Sequence, residues 1–240
     1  MDDRYSRQTS IPEIGKEGQK ILKKSTVAIV GCGGLGTNVA EVLTRAGVGT
    51  LLLVEDDRVE LSNLQRQTLY EEADIGKPKA DALALHLRGI DSDAGFILVK
   101  ERMTEETLGL LDGAELVLDC TDNLETRFLL NGYALEREKK TVFCSAQGLK
   151  GMVYVVDPSK EWRACLACLL GGRKPSKTPA ETGVLGAAVR MAASLQATEA
   201  LKILLGQPCT EGLVSFDVWT PRLDVVKTTK RPGCAACGKK

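Results

Sequence analysis

Hydrophobic and polar positions alternate between two periods along this 240-residue chain, and the pattern predicts an α/β fold. Short β-branched or leucine-rich runs read as buried strands: Thr26 to Val30, Thr50 to Glu55, Phe96 to Val99, Leu116 to Asp119 and Thr141 to Ser145. Helix-period segments lie between them at 37–46, from 76–79 to about Arg88, at 104–111, and from Asn123 to about Glu138. Strand and helix in alternation predict a Rossmann-like, mostly parallel sheet flanked by helices. Gly151 to Val156 alternates like an antiparallel continuation, and two late strands follow at 213–219 and 223–228. A helix over 13–24 precedes the first strand, and a long apolar helix from Gly183 to about Leu205 precedes the late strands. Between these parts, the Gly/Lys/Pro/Ser-rich stretch 171–182 reads as a mobile loop. The chain is read as one domain, with an arm and helix over 1–25, a nucleotide-binding half over 26–157 and a second half over 158–240.

The first strand runs into Gly31-Cys-Gly-Gly-Leu-Gly36, which fits G-x-G-x-x-G through Gly31, Gly33 and Gly36, with Gly34 extra. Glycines permit the sharp turn and let a phosphate approach the backbone, while the helix N-terminus offers free N–H groups. The motif alone names no nucleotide and no chemistry. An acid closes the second strand about 20 residues past the last glycine, where the ribose is commonly held. Glu55 is the candidate, with Asp56 and Asp57 close enough to compete. The fourth strand of the series ends in Asp119-Cys-Thr-Asp-Asn123, and carboxylates at that edge suit Mg²⁺ shared with phosphates. Asp122 could equally serve as the N-cap of the next helix. The polar run 59–67 reads as a loop or short helix over the pocket. His86 is the only histidine and receives no role.

Composition narrows the function classes. Lys plus Arg equals Asp plus Glu at 32 each, so no basic footprint for nucleic acid exists at whole-chain level. No apolar run reaches the roughly 18 residues of a membrane span, and the polar start carries no signal-peptide core. The expectation is a soluble cytoplasmic protein. Eight cysteines include two C-x-x-C pairs, Cys165/Cys168 and Cys234/Cys237, far apart along the chain. Without an export signal these read as four thiolates for one structural Zn²⁺, a knuckle tying the tail to the middle of the chain.

Taken in order, Arg4-Tyr-Ser-Arg-Gln8, the glycine turn, Leu61-Ser-Asn-Leu-Gln-Arg-Gln67, Gly76-Lys-Pro-Lys79, Asp119-Cys-Thr-Asp-Asn123 and both cysteine pairs resemble one family. It is the ubiquitin-activating-like adenylyltransferase family, of the molybdopterin-synthase and thiamine-pathway type. The resemblance implies binding of ATP and Mg²⁺ and adenylation of the C-terminal Gly-Gly carboxylate of a small ubiquitin-like sulfur carrier, with release of pyrophosphate. It implies phosphate contacts from Asn63, Arg66 and Lys79, a further nucleotide contact from Gln67, and Mg²⁺ on Asp122. It further implies a homodimer in which Arg7 reaches the partner's site. Glu55 stands where the family usually has Asp, which leaves Asp57 as its competitor for the ribose. The family's loop cysteine falls near Pro179 in Lys177-Thr-Pro-Ala-Glu181, and no cysteine lies between Cys168 and Cys209. A loop thioester is therefore not expected, and sulfur would come from a separate persulfide donor. Cys144 is the other nucleophile to test, although it reads more simply as a buried small hydrophobe. Two rivals share part of the signature: a relative adenylating another acceptor, tRNA or a peptide, and an NAD-dependent oxidoreductase.

Overall fold

The structure is a computed structural model that describes residues 3–160, 163–171 and 182–238. Its strands form one eight-stranded sheet in the order β3-β2-β1-β4-β5-β6-β7-β8. The parallel part comprises β1 (Thr26–Val30), β2 (Thr50–Val54), β3 (Gly95–Val99), β4 (Leu116–Asp119) and β5 (Thr141–Gln147). Beyond β5 the sheet turns antiparallel through β6 (Lys150–Val156), β7 (Leu213–Asp217) and β8 (Arg222–Val226). Strand order reverses between β1 and β4, the place where open α/β sheets leave a crevice at their carboxyl ends.

The central strands are apolar at nearly every inner position because both faces are covered. Val27 and Ile29 of β1 join one core, whereas Ala28 and Val30 join the other. The first core is roofed by α2 (Gly15–Lys24), α3 (Gly34–Arg45), α4 (Lys79–Ile90) and α7 (Gly186–Leu204), through Leu22, Val39, Leu83 and Ala192 among others. The second lies under α5 (Leu124–Glu136) and α6 (Leu166–Leu170), through Leu130, Tyr133 and Leu166. Small residues on α7, from Ala188 to Ala200, let its backbone approach the sheet and α3.

Several local expectations are corrected. The segment 104–111 is no α-helix but a turn followed by a 3₁₀ helix, Leu108–Leu111. Thr107 Oγ1 donates to Thr104 O at 3.3 Å and to Arg102 O at 3.1 Å, so a side chain competes for carbonyls of this segment. The helix after the glycine turn starts at Gly34, earlier than the expected Thr37, because the glycines themselves build its first turn. Asn123, not Asp122, caps α5, accepting from Thr126 N at 2.9 Å. The N-terminal arm, with α1 at Ser6–Thr9, is tied down: Tyr5 Oη donates to Asp91 at 2.8 Å and Gln8 Nε2 to Ala46 O at 2.9 Å. The expected mobile loop lies, apart from Gly171 and Thr182, outside the described residues, as do Lys177 to Glu181.

Candidate active site

At the carboxyl ends of the parallel strands lies a cleft of ≈ 2010 Å³ that continues onto the antiparallel strands. Its floor is the glycine turn. Gly31 has φ +92° and packs so tightly that an added Cβ would sit 2.9 Å from Cys120 O, so only glycine fits there. At Gly36 the same atom would collide with the Gly31 carbonyl. The first helical bond of α3 runs from Thr37 N to Gly33 O at 3.0 Å, and the amides ahead of it have no intrahelical partner. Such a terminus is an anion site in waiting.

Charged groups converge on this turn from three elements. Glu55 follows β2, and its carboxylate accepts from Cys32 N at 2.8 Å and from the amides of Asp56 and Asp57 at 3.1 Å. Burial holds the Glu55 carboxyl above its ordinary value, although Lys79 and the Asp57 and Cys32 amides oppose it. Lys79 opens α4 with its side chain only 8% exposed, and its Nζ lies 2.8 Å from Asp57 Oδ2. Asn63 is buried and accepts from Glu60 N at 3.1 Å, completing a capping box on the 3₁₀ turn Leu61–Asn63. That turn aims Arg66 and Gln67 at the cleft. Arg66 Nη1 donates to Ser62 O at 2.9 Å, and its Cγ lies 3.4 Å from where a Cβ on Gly34 would be. Gln67 lines the cleft at 4% exposure; its Nε2 lies 3.6 Å from where a Cβ on Gly33 would be, and its buried Oε1 has no hydrogen-bond partner among the described residues.

The fourth edge is the loop after β4. Asp119 is fully buried, accepts from Thr121 N and Oγ1, and lies 3.2 Å from Arg127 Nε. That contact is an ion pair without hydrogen-bond alignment, since neither atom completes a bond to the other. Burial raises the Asp119 carboxyl and Arg127 opposes it. Arg127 Nη2 also donates to Thr121 O at 2.6 Å and Cys144 O at 2.9 Å, so the loop is wound around a guanidinium. Asp122 is exposed on this loop and lines the cleft; its carboxylate has no hydrogen-bond or ion-pair partner among the described residues.

The structure therefore brings together Gly31, Gly33, Gly34, Glu55, Asp57, Asn63, Arg66, Gln67, Lys79 and Asp122 along one cleft, with Gly36 beneath the turn. It does not bring Arg7 there. Arg7 is exposed on α1, whose arm packs against Ala46 and Asp91 at the amino ends of the strands. Cys144 is 2% exposed and absent from the cleft lining, and burial pushes its thiol up, which leaves it inert at neutral pH. Sequence reasoning missed three residues. Tyr70 Oη reaches both Cys32 O at 2.8 Å and Lys79 O at 3.2 Å, joining the turn to α4. The others are Arg127 and Gln196. The spacing Asn-x-x-x-Arg after a capped helix start could have pointed to Arg127, and a lone amide on an alanine-rich face could have pointed to Gln196.

Away from the cleft, Cys165, Cys168, Cys234 and Cys237 gather with all sulfurs within 4.8 Å of one another. Measured pairs are 3.9 Å for Cys165–Cys168, 3.8 Å for Cys165–Cys234 and 3.4 Å for Cys168–Cys237. A tetrahedron of thiolates at the Zn–S distance has edges of ~3.8 Å, so the spacing fits a zinc ion and is far too long for disulfides. The first pair opens a short helix, α6, with Cys165 as its N-cap, and the opposing sulfurs make it half of a four-thiol cluster.

A family model described as the ThiF family matches residues 5–236. The chain belongs to the ThiF family. Among curated ThiF-type relatives, the sulfur carrier protein ThiS adenylyltransferase of Bacillus subtilis (strain 168) is 39% identical over 100% of this chain and 73% of its own. The molybdopterin-synthase adenylyltransferase of Salmonella typhimurium is 36% identical, covering 98% of this chain and 96% of its own. In fold, this ThiF-family chain is like Escherichia coli MccB solved with ATP: TM-score 0.83, 21% identity, 99% of this chain and 75% of the other. No helix among its described residues is long and apolar enough to cross a membrane.

Proposed function

We propose that this protein adenylates the C-terminal Gly-Gly carboxylate of a small ubiquitin-like sulfur carrier. A carboxylate oxygen attacks the α-phosphorus of ATP, an acyl–phosphate bond forms, and the bond to the β-phosphate breaks to release pyrophosphate. The observation that carries this reading is the continuity of the cleft. It runs from the glycine turn past Arg66, Lys79 and Asp122 to Met152, Ser215 and Asp224 on the antiparallel strands, with room for a nucleotide and an extended chain end. The named relatives, adenylyltransferases of sulfur carriers, support the same substrate class.

The roles follow from placement. The amides of the turn and Gln67 receive the phosphates, with Asn63 behind them, and Glu55 or Asp57 receives the ribose. Arg66 and Lys79 offset the charge that gathers at the α-phosphate, and Asp122 holds the Mg²⁺ that shares it. Two cations and a free carboxylate suit a triphosphate better than a dinucleotide. Arg7, outside its own cleft, is assigned to the cleft of a second protomer in a homodimer. The carrier body is assigned to the face carrying Met152, Ser215 and Asp224, with Trp219, 72% exposed, at the tip of the β7–β8 hairpin. Zn²⁺ on the four cysteines has no open position and is structural. No cysteine exists between Cys168 and Cys209, so the reaction stops at the acyl-adenylate and a separate persulfide donor supplies sulfur.

The test is ATP–pyrophosphate exchange with and without a Gly-Gly-ending carrier. Exchange is expected only with carrier and is expected to vanish in Asp122→Ala. ATP binding without exchange for any carrier would point to another acceptor, and a thiol-labile enzyme–carrier conjugate would refute the missing thioester step.

A further inference from the structure

Helix α7 runs beneath the cleft floor and touches it at several points. A Cβ on its first residue, Gly186, would lie 2.9 Å from Gln65 O, beside Arg66. One turn on, Val189 Cγ1 would lie 3.1 Å from a Cβ on Gly34. Further along stands Gln196, a long polar side chain at 0% exposure in a row of alanines. An unpaired amide there would be costly. Gln196 is fully paired: Nε2 donates to Asp119 O and to Val142 O, both at 2.9 Å, and Oε1 accepts from the Cys120 thiol at 3.3 Å.

Those carbonyls sit where β4 and β5 part. The ladder between the strands ends at Asp119↔Phe143. One planar NH₂ group spans the two carbonyls at that fork, which neither an apolar side chain nor a carboxylate can do. The chain beyond the fork carries Asp122. We propose that Gln196 is a positioning residue: it fixes the Asp119–Asp122 loop against the same helix that packs on the glycine turn and Arg66. Asp122 thus meets the phosphates in register. This rests on the assignment of Asp122 to Mg²⁺ in the adenylation reaction.

The test compares Gln196→Met, which removes both donations, with Gln196→Glu, which keeps the shape and can donate once when protonated. Carrier-dependent exchange, ATP affinity, Mg²⁺ half-saturation and melting temperature are measured from pH 6 to 9. For Gln196→Met, kcat is expected to fall roughly tenfold to a hundredfold, the scale of a small misplacement of a reacting group. Its Mg²⁺ requirement is expected to rise severalfold while ATP affinity stays within about twofold, because the turn and Arg66 keep their contacts. Gln196→Glu is expected to be active at low pH and to lose activity as pH rises and its carboxyl ionises against the two carbonyls, a slope absent from the wild type. If Gln196→Met fails to fold, the pH slope of Gln196→Glu decides. A wild-type Mg²⁺ requirement and kcat in Gln196→Met, or a Gln196→Glu profile parallel to wild type, would overturn the proposal. Absence of exchange in the wild type would instead overturn the adenylation reading, and the assignment of Gln196 with it.

Discussion

Lys79 and Asp57 form a pair of unequal partners. The ammonium is almost enclosed at 8% exposure, while the carboxylate is 68% exposed. A cation so placed can exchange an aqueous carboxylate for a phosphate without being moved. Lys79→Met is accordingly expected to lower exchange by about a hundredfold or more. Its effect on melting temperature should be small, because the Asp57 left behind is already solvated; calorimetry beside the kinetic assay separates the two. Gly36→Ala should do the reverse and fail at folding, since its Cβ has only the Gly31 carbonyl to meet. These glycines were legible in the sequence because their requirement is steric and local. The choice among Glu55, Asp56 and Asp57 was not. It depends on three backbone amides that fold back onto Glu55 and on Lys79, which reaches Asp57 from the start of the next long helix.

At the scale of elements, the stretch between β2 and α4 behaves as a small folded unit. Val59 N donates to Lys77 O and Lys79 N to Asp57 O, both at 2.9 Å, which sets the start of α4. Asp74 is its hub: Oδ2 lies 2.7 Å from His86 Nε2, Oδ1 lies 3.0 Å from Lys77 Nζ, and Glu71 N donates to Oδ2. Burial would raise this carboxyl, but the His86, Glu71 and Lys77 contacts prevail and draw it down to about 2. A depressed carboxyl stabilises the fold above its unfolded value, and that contribution is lost as pH falls from about 4 through 2. Water screens the half-exposed Lys77, so the contribution is about 1–2 kcal/mol. Asp74→Asn is expected to lose that stability at pH 7 and to show a flatter acid-unfolding curve between pH 4 and 2. In α5, Gly132 has open space around its Cα, so Gly132→Ala should stabilise by about 0.5–1 kcal/mol in thermal melts. Long periodic elements were legible. The run 104–111 misled because threonine side chains compete for its backbone, and His86 looked idle because its partner sits on a loop rather than on its own helix face.

For the whole molecule, a single sheet carries both halves of the proposed reaction, and the four-cysteine cluster holds the tail against α6. Native mass spectrometry should find one zinc per chain. Chelation, or Cys234→Ser, should expose the segment after β8 to protease while the parallel core keeps its helical signal. Trp219→Ala should raise KM for the carrier without changing KM for ATP, because Trp219 is not among the residues lining the cleft. Parallel order, antiparallel continuation and the cysteine cluster could all be read from spacing. The fork at β4 and β5 could not, since it is closed by a side chain from a helix far downstream in the chain. The separation of the two cysteine pairs has a further consequence, in time. Cys234 comes 66 positions after Cys168, so at ordinary translation rates the first dithiol exists for roughly 3–13 s before its partners are made. During that interval it is half a metal site, able to take an ion with two positions open or to be captured by an oxidant. Metal supply and redox state while the chain is being synthesised therefore bear on how many chains close their tail around the ion rather than carry an oxidised first pair.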